Sequence, residues 1–191
     1  MHTFSNTIIE IFKKKGDDFM YYGEKVVLRA YREDDIDIAL KLVNDKELKK
    51  FLVNFIPFPM SKWEEEEWIK SQKSNKEGTY NFAIEDIETN KYIGGCGINS
   101  VDWLTRVAVV GIMIGDKDYW GKGYGTDAMK VLIDFIFNDM NINKIRLSVF
   151  SFNERAIKSY EKCGFEVEGV LKNEIFKDGK YYDEIIMSKF K

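Results

Sequence analysis

The spacing of apolar residues along the chain predicts about seven β-strands. Each predicted strand is a short stretch rich in aliphatic, β-branched or aromatic residues, and turn sequences such as Asp178-Gly179 separate consecutive stretches. The stretch 107–114 is almost wholly apolar, which is typical of a central strand covered on both faces. The predicted strands are 24–31, 81–85, 92–101, 107–114, 144–150, 165–175 and 181–190.

Helical spacing and capping residues predict about four helices between these strands. Acidic residues at 33–35 favour the start of a helix that ends near Asn44, because the helix dipole stabilises negative charge there. Ser61 and Glu64 have the spacing of a capping box, which predicts a helix from Ser61 to about Ser74. The other helices are indicated by the apolar repeat Met129, Leu132, Ile133 and Ile136, and by the segment from the N-cap Asn153 to Cys163 before Gly164.

The order of these elements predicts one α/β domain. A chain of 191 residues has the usual length of a single domain, and no linker or internal repeat divides it. We place the domain at 20–191. The segment 1–19 is interpreted as an addition, either an N-terminal helix or a leader that precedes a true start at Met20.

Composition and charge exclude several classes of partner. The formal net charge of -3 argues against a non-specific nucleic-acid binder. No apolar run reaches the roughly 20 residues that cross a bilayer. Near the N terminus, apolar residues precede the basic residues 13–15, whereas a secretory signal has the opposite order. We therefore expect a soluble, cytoplasmic protein with no nucleic-acid and no membrane partner.

Histidine and cysteine usage limits the available chemistry. His2, the single histidine, lies at the end of the chain, which argues against a Ser-His-Asp triad, a Cys-His pair and a histidine-rich metal site. Cys96 and Cys163 are far apart and suggest neither a disulfide framework nor a zinc site. We expect no metal, and proton transfer must use carboxylates, Tyr, Lys, Cys or water.

A glycine-rich turn joins the predicted central strand to the next helix. Gly121, Gly123 and Gly125 let the backbone approach a ligand closely, and the helix N-terminus behind them offers unpaired N–H groups to an anion. The P-loop pattern fails because Gly123 follows Lys122, and the Rossmann pattern fails because Thr126 takes its last position. The turn is interpreted as a pyrophosphate site; a turn that binds nothing is the alternative.

Two motifs resemble those of the GNAT superfamily of acyl-CoA N-acyltransferases. The superfamily's acyl-CoA motif, Q/R-x-x-G-x-G/A at the start of a helix, aligns with 120–125. Its N-x-x-A-x-x-x-Y-x-x-x-G-F signature aligns with 153–165, and the order of elements matches from Glu24 to Lys191. The sequence looks most like the subgroup of ribosomal-protein N-terminal acetyltransferases and polyamine or small-amine acetyltransferases.

The resemblance implies a fold, a co-substrate and a set of site residues. The fold would be a mixed, mostly antiparallel sheet with splayed strands 4 and 5, here 107–114 and 144–150. Acetyl-CoA would donate its acetyl group directly to an amine in a ternary complex, with Tyr160 as the general acid. The residues that would bind the coenzyme are Ile112, Met113, Ile114, Trp120, Gly121, Lys122, Gly123, Tyr124, Gly125, Thr126, Asn153, Ala156 and Tyr160.

Two departures from the family pattern affect the mechanism. Trp120 replaces the usual Gln or Arg of the acyl-CoA motif, and Val109 stands where many relatives carry a Glu that acts as general base. The base is therefore left open among Glu33, Asp102, Asp183 and a water chain, since these carboxylates lie near predicted loop or strand ends.

The acceptor is also left open at this point. A small amine or polyamine is favoured, with a protein N-terminus as one alternative and a non-catalytic acyl-CoA-binding module as another. The resemblance also leaves a homodimer open. We expect the loop 55–63, Trp103 and the closing hairpin to select the substrate.

Overall fold

Eight β-strands form one sheet in the part of the chain that the structure, a computed structural model, describes, which is residues 21–52, 56–72 and 79–191. The strands are β1 Tyr21–Tyr22, β2 Val26–Arg29, β3 Tyr80–Asp86, β4 Tyr92–Asp102, β5 Val107–Ile114, β6 Lys144–Phe150, β7 Glu166–Lys177 and β8 Lys180–Phe190. Their order is β1-β2-β3-β4-β5-β6-β8-β7, and only the β5–β6 pair is parallel. The predicted addition at 1–19 lies outside the described residues.

Five α-helices flank the sheet within the described ranges. None of them is long and apolar enough to cross a bilayer. The helices are α1 Ile36–Val43, α2 Lys46–Leu52, α3 Lys62–Ser71, α4 Tyr124–Asp134 and α5 Glu154–Lys162. Single 3₁₀ turns lie at Glu33–Asp35 and Lys117–Tyr119, and a π-helical turn, Phe135–Asp139, follows α4.

The predicted fold class is confirmed, with two additional elements. The seven predicted strands correspond to β2 to β8, and the capping box of Ser61 with Glu64 is present at the start of α3. The additional strand β1 is only two residues long, which is too short to produce an alternating pattern. The additional helix α2 is largely charged and buries only Leu48, so its apolar periodicity is weak.

The sheet carries a separate apolar core on each face. Successive residues of a strand point to opposite faces, so Ala83 packs with α1 and α3 whereas Ile84 packs with α4. The larger core also receives Tyr160 and Cys163 from the C-terminal part of α5. This arrangement places α1 and α3 on one side of the sheet, and α4 and α5 on the other.

The parallel pair β5–β6 separates after three residues. Val107, Ala108 and Val109 are paired with β6, but no pairing with β6 continues from Val110 to Ile114. On its other edge, β6 is paired with β8 along its whole length, from Lys144 to Phe150. The predicted splaying of the two central strands is confirmed, and it opens a gap in the middle of the sheet.

The N-terminus of α4 is tied to the turn between β1 and β2 by one carboxylate. Asp127 accepts hydrogen bonds from the backbone N–H groups of Glu24, Lys25 and Val26, at 3.1, 2.8 and 3.1 Å. A Cβ atom on Gly23 would lie 2.3 Å from Asp127 Oδ2, so the turn needs glycine there. The start of α4 is therefore fixed relative to the edge of the sheet.

A buried ion network joins the start of α1 to β2 and β3. The Arg29 guanidinium donates to both carboxylate oxygens of Asp35, at 2.7 and 2.8 Å, and also to Glu85. Arg32 adds a hydrogen bond to Glu85 at 3.1 Å. Burial alone would lower the pKa of Arg29, but the hydrogen bonds to Asp35 and Glu85 raise it, so the guanidinium is charged throughout the physiological range.

Removing the central cation should destabilise the protein strongly. The Arg29→Met substitution keeps most of the apolar stem but leaves Asp35 and Glu85 without their buried cation, and we expect a loss of about 3–5 kcal/mol in the free energy of unfolding. Urea unfolding measures this loss. Lys62→Met, which breaks an exposed pair with Asp37, is the matched control and should leave the midpoint unchanged. Equal midpoints for both variants would contradict this account of the network.

Candidate active site

A cleft of about 1050 Å³ opens where β5 and β6 diverge. It is bounded by the C-terminal half of β5, the glycine-rich turn and the start of α5, and it continues past β4 to α3. The sequence-predicted residues that line it are Ile112, Met113, Ile114, Trp120, Gly121, Gly123, Gly125, Thr126, Asn153, Ala156 and Tyr160. Lys122 and Tyr124 are not among the lining residues; Lys122 is exposed, and the ring of Tyr124 packs on Tyr119 at 4.7 Å.

The glycine-rich turn presents free backbone donors. Gly121 and Gly123 have φ values of 72° and 90°, in the left-handed region that favours glycine. No described residue accepts a hydrogen bond from the backbone N–H groups of 121–126, and Asp127 N–H is the first to bond, to Gly123 O at 2.9 Å. A Cβ on Gly121 would have no atom within 4 Å. Free donors, open space and a helix N-terminus together form an anion site.

The edge of β5 that faces the cleft carries unpaired backbone groups. Gly115 N–H donates to Ile93 O at 2.8 Å, so the antiparallel register places Met113 in a hydrogen-bonded pair with β4. The alternation then directs the N–H and C=O groups of Ile112 and Ile114 to the opposite edge, where β6 no longer pairs. An extended ligand arm can bond to these groups as an added strand would.

Trp120 takes part in this edge in a way that the sequence did not predict. Its indole Nε1–H donates to Ile114 O at 2.6 Å, so one of the acceptors on the open edge is already used. The Arg155 guanidinium lies 3.6 Å from the centroid of the Trp120 ring, and Phe51 packs against the same ring. Although residue 120 is neither Gln nor Arg, a cation stacked on its indole lies beside the glycine-rich turn.

A second cation reaches the turn from the other end of the chain. Lys25 Cε would lie 3.8 Å from a Cβ on Gly123, and Lys25 Nζ lies 5.3 Å from the centre of the Tyr124 ring. The hydrogen bonds of the β1–β2 turn to Asp127 place Lys25 there. Lys25 and Arg155 thus add positive charge beside the anion site, whereas Lys122 does not line the cleft.

The start of α5 is held against the start of α4 by polar contacts. Asn153 caps α5 by accepting from Ala156 N–H at 3.3 Å. The hydroxyl oxygens of Thr126 and Ser159 are 2.8 Å apart, and Cys163 Sγ donates to Thr126 O at 3.6 Å. These bonds fix the distance between the glycine-rich turn and the helix that carries Tyr160.

Tyr160 is buried, but its ring belongs to the wall of the cleft. The residue is 8% exposed, and its ring packs on Phe165 at a centroid distance of 6.0 Å. No described residue exchanges a hydrogen bond with its hydroxyl. Burial, with a smaller contribution from Cys163, raises the pKa of Tyr160 to about 12. The phenol is therefore protonated at neutral pH, and it is a stronger acid than water toward a thiolate whose conjugate thiol has a pKa near ~8.5.

The carboxylates considered as bases do not line the cleft. Asp102 accepts from the backbone N–H groups of its own turn, and these bonds lower its pKa. Asp183 pairs with Lys172 at 2.8 Å, which lowers its pKa, and Glu33 is exposed at the start of a 3₁₀ turn. Val109 does line the cleft, so the position of the family's usual Glu is apolar here. Two carboxylates that the sequence did not single out line it instead: Glu65, which is buried, and Glu184, which is partly exposed.

The other residues expected to select the substrate are dispersed. In the loop at 55–63, Phe55 lies outside the described residues and Met60 lines the cleft, whereas Trp103 does not. Within the described ranges, no group of three or more His, Cys, Asp or Glu side chains is arranged to hold a metal ion.

A sheet split at its parallel pair, with an anion site at the opening and an unpaired edge leading away from it, defines a protein that binds an extended phosphorylated ligand. The chain belongs to the GNAT family of acyl-CoA-dependent N-acetyltransferases. The family profile described as "Acetyltransferase (GNAT) domain" matches residues 25–166.

Individual relatives support this assignment. The chain is 30% identical over 171 residues to an uncharacterized N-acetyltransferase, p20, from Bacillus licheniformis. This alignment covers 89% of this chain and 95% of that protein. It is 28% identical over 172 residues to the spermidine N(1)-acetyltransferase of Vibrio cholerae, covering 88% and 96%. The crystal structure of spermidine N-acetyltransferase from Vibrio cholerae in complex with CoA and spermine superposes with a TM-score of 0.76, at 28% identity, over 86% of this chain and 95% of that one.

Filling the glycine-rich turn should abolish coenzyme binding without unfolding the protein. A Gly123→Leu side chain would occupy the space above the free amides, and we expect CoA to bind at least about 10-fold more weakly in a calorimetric titration. The left-handed φ costs about 1–2 kcal/mol of stability. Gly179→Leu, in the β7–β8 turn at φ 79°, carries the same strain away from the cleft and should bind CoA normally. Normal CoA affinity of the Gly123→Leu variant would rule out this position for the phosphates.

Proposed function

We propose that the protein transfers the acetyl group of acetyl-CoA directly to a primary amine of a small amine or polyamine, within a ternary complex. The observation that carries the proposal is the continuous cleft that joins three features: the free amides at 121–126, the open edge of β5 and the phenol of Tyr160. The similarity to a spermidine N(1)-acetyltransferase over 88% of the chain favours a polyamine acceptor. A cytoplasmic location remains a prediction from the sequence.

The coenzyme would be held by backbone groups at two places. The diphosphate would accept hydrogen bonds from the free N–H groups at 121–126, with Lys25 and Arg155 contributing positive charge. The pantetheine arm would follow the open edge of β5 and bond to the backbone of Ile112 and the N–H of Ile114. A backbone N–H on this edge would also polarise the thioester carbonyl.

The chemical step needs a neutral amine and an acid for the leaving sulfur. The amine nitrogen attacks the thioester carbonyl carbon, a C–N bond forms and the C–S bond breaks, and the thiolate leaves. Tyr160 would donate its phenolic proton to that thiolate. The amine nitrogen loses one proton as the C–N bond forms, and water would carry a proton back to the phenolate of Tyr160. Because neither Cys96 nor Cys163 has a histidine partner, and burial raises the pKa of both thiols, an acyl-cysteine intermediate is disfavoured.

Removing the phenolic hydroxyl should lower turnover and leave coenzyme binding intact. We expect Tyr160→Phe to reduce kcat roughly 100-fold, which is the usual contribution of a positioned general acid. The melting temperature should not change, because no described residue bonds to the hydroxyl. Tyr181→Phe, on the exposed side of the closing hairpin, is the control and should retain full turnover. A Tyr160→Phe enzyme with the wild-type kcat would remove Tyr160 from the acid role.

The acceptor can be identified by thiol-release kinetics with acetyl-CoA. We expect spermidine or a related polyamine to give the highest kcat/KM in a panel that also contains aminoglycosides, amino acids and N-terminal peptides. Such amines are multiply protonated at neutral pH, and the cleft contains a buried carboxylate that would attract them. A peptide as the best acceptor would indicate a protein N-terminal acetyltransferase. Coenzyme binding without turnover of any amine would indicate an acyl-CoA-binding module and refute the proposal.

A further inference from the structure

The part of the cleft beneath α3 contains a buried carboxylate without a partner. Glu65 is 3% exposed and lines the cleft. No described residue donates a hydrogen bond to its carboxylate or forms an ion pair with it. The neighbouring acidic residues on α3 are satisfied: Glu64 closes the capping box, and Glu66 pairs with Lys70 at 2.9 Å. A carboxylate that has lost most of its water and has no partner in the described part of the chain is costly to the folded protein, and a bound cation would offset that cost.

The carboxylate oxygens of Glu65 are directed into the cleft. Among the described residues, every side-chain oxygen or nitrogen that is fully shielded from solvent has a hydrogen-bond partner. Because Glu65 has no partner, its oxygens must be those that touch the solvent of the cleft. Burial raises the pKa of Glu65, as expected for a carboxylate that has lost most of its water and gained no cation.

Aromatic rings surround this carboxylate. Tyr31 packs edge-to-face on Trp68 with ring centroids 5.2 Å apart, and the rings of Tyr31 and Tyr92 are 6.1 Å apart. Tyr31, Trp68 and Tyr92 line the cleft together with Glu65. Burial raises the pKa of both tyrosines, so their hydroxyls are neutral at physiological pH. A carboxylate among aromatic faces is the environment that stabilises an organic cation.

The group lies against β4, the strand that pairs with β5. A Cβ on Gly95 would lie 2.2 Å from the Tyr31 hydroxyl oxygen, so the Tyr31 ring ends directly on β4 at Gly95. Gly95 is paired with Met113, and the next residue of β4, Cys96, is paired with Ile112. Glu65 and the open part of β5 line the same cleft, so a cation held by Glu65 shares that cleft with a thioester bound at the open edge.

We propose that Glu65, with the rings of Tyr31, Trp68 and Tyr92, forms a subsite for a protonated alkylamine. The proposal rests on the proposed function, since it assigns the cationic acceptor a place in the same cleft. Val109, where many relatives carry a Glu, lines the same cleft as Glu65. The ammonium group satisfies a carboxylate that has no partner among the described residues, and the rings exclude water around it.

Equilibrium binding tests the subsite without depending on turnover. Spermidine is titrated calorimetrically into the CoA-bound protein, using the wild type, Glu65→Gln and the control Glu67→Gln. The control makes the same charge change on the exposed face of α3. We expect the Kd for spermidine to rise at least about 10-fold in Glu65→Gln and to stay unchanged in Glu67→Gln, with CoA affinity equal in all three. Equal spermidine affinity of Glu65→Gln and the wild type would overturn the proposal.

Thermal melts without amine provide an independent readout for the same variants. The pKa of Glu65 is raised in the folded state, so its contribution to stability is lost as the pH rises through that folded pKa. Glu65→Gln should therefore gain stability relative to the wild type as the pH rises from about 5 to about 8. A variant that loses stability over this range would show a structural role for the carboxylate and contradict the proposal.

Thiol-release assays on the same proteins separate the two proposals. A wild type that acetylates amines, combined with a Glu65→Gln variant of unchanged spermidine affinity, refutes the subsite alone. A wild type that binds spermidine through Glu65 but releases no thiol refutes the acetyltransferase proposal alone. Trp68→Leu is a second variant that leaves the carboxylate in place, and we expect its Kd for spermidine to rise about threefold or more through loss of the ring face.

Discussion

The separation of β5 from β6 is the constraint on which the rest of the site depends. Backbone N–H and C=O groups in a sheet are normally paired, and Ile112 and Ile114 lack pairing on one side in the centre of this one. The strand is stable because β4 pairs with its other edge over the whole length, and because α4, the next helix in the chain, packs on the larger core. A gap held open in this way offers a ligand the same hydrogen bonds that a neighbouring strand would make.

The fold could be predicted from the sequence wherever the local pattern and the tertiary structure agree. The apolar stretch 107–114, the capping box at Ser61 and the Asp178-Gly179 turn are all local signals, and the structure contains β5, α3 and the β7–β8 hairpin where these signals place them. Helix α2 could not be predicted in this way, because it is stabilised by few buried side chains and its charged residues carry little periodic information.

The site was only partly predictable from the sequence, because only one part of it is formed by a continuous segment of the chain. The proposed phosphate site consists of glycines and backbone amides in one continuous turn, so a motif identifies it. The side chains around the cleft come from distant parts of the sequence: Lys25 lies next to the glycine-rich turn through the β1–β2 turn, and Glu65 lines the cleft from α3. The run 64–67 looks like an ordinary acidic first turn of a helix, and only the packing of α3 on the sheet distinguishes Glu65 from its exposed neighbours. The stacking of Arg155 on Trp120 could not be predicted either, because the two residues belong to different motifs and meet only in the folded protein.

The carboxylate of Asp127 connects the start of α4 to the β1–β2 turn, two segments that are far apart in the sequence. Its oxygens occupy the space that a side chain at position 23 would need, and they satisfy three consecutive amides of the turn. The identities of residues 23 and 127 are therefore mutually restricted, although the positions are remote in the sequence. A side chain at position 23 would therefore displace the Asp127 carboxylate from the three amides that it satisfies, and the start of α4 would lose its attachment to the edge of the sheet.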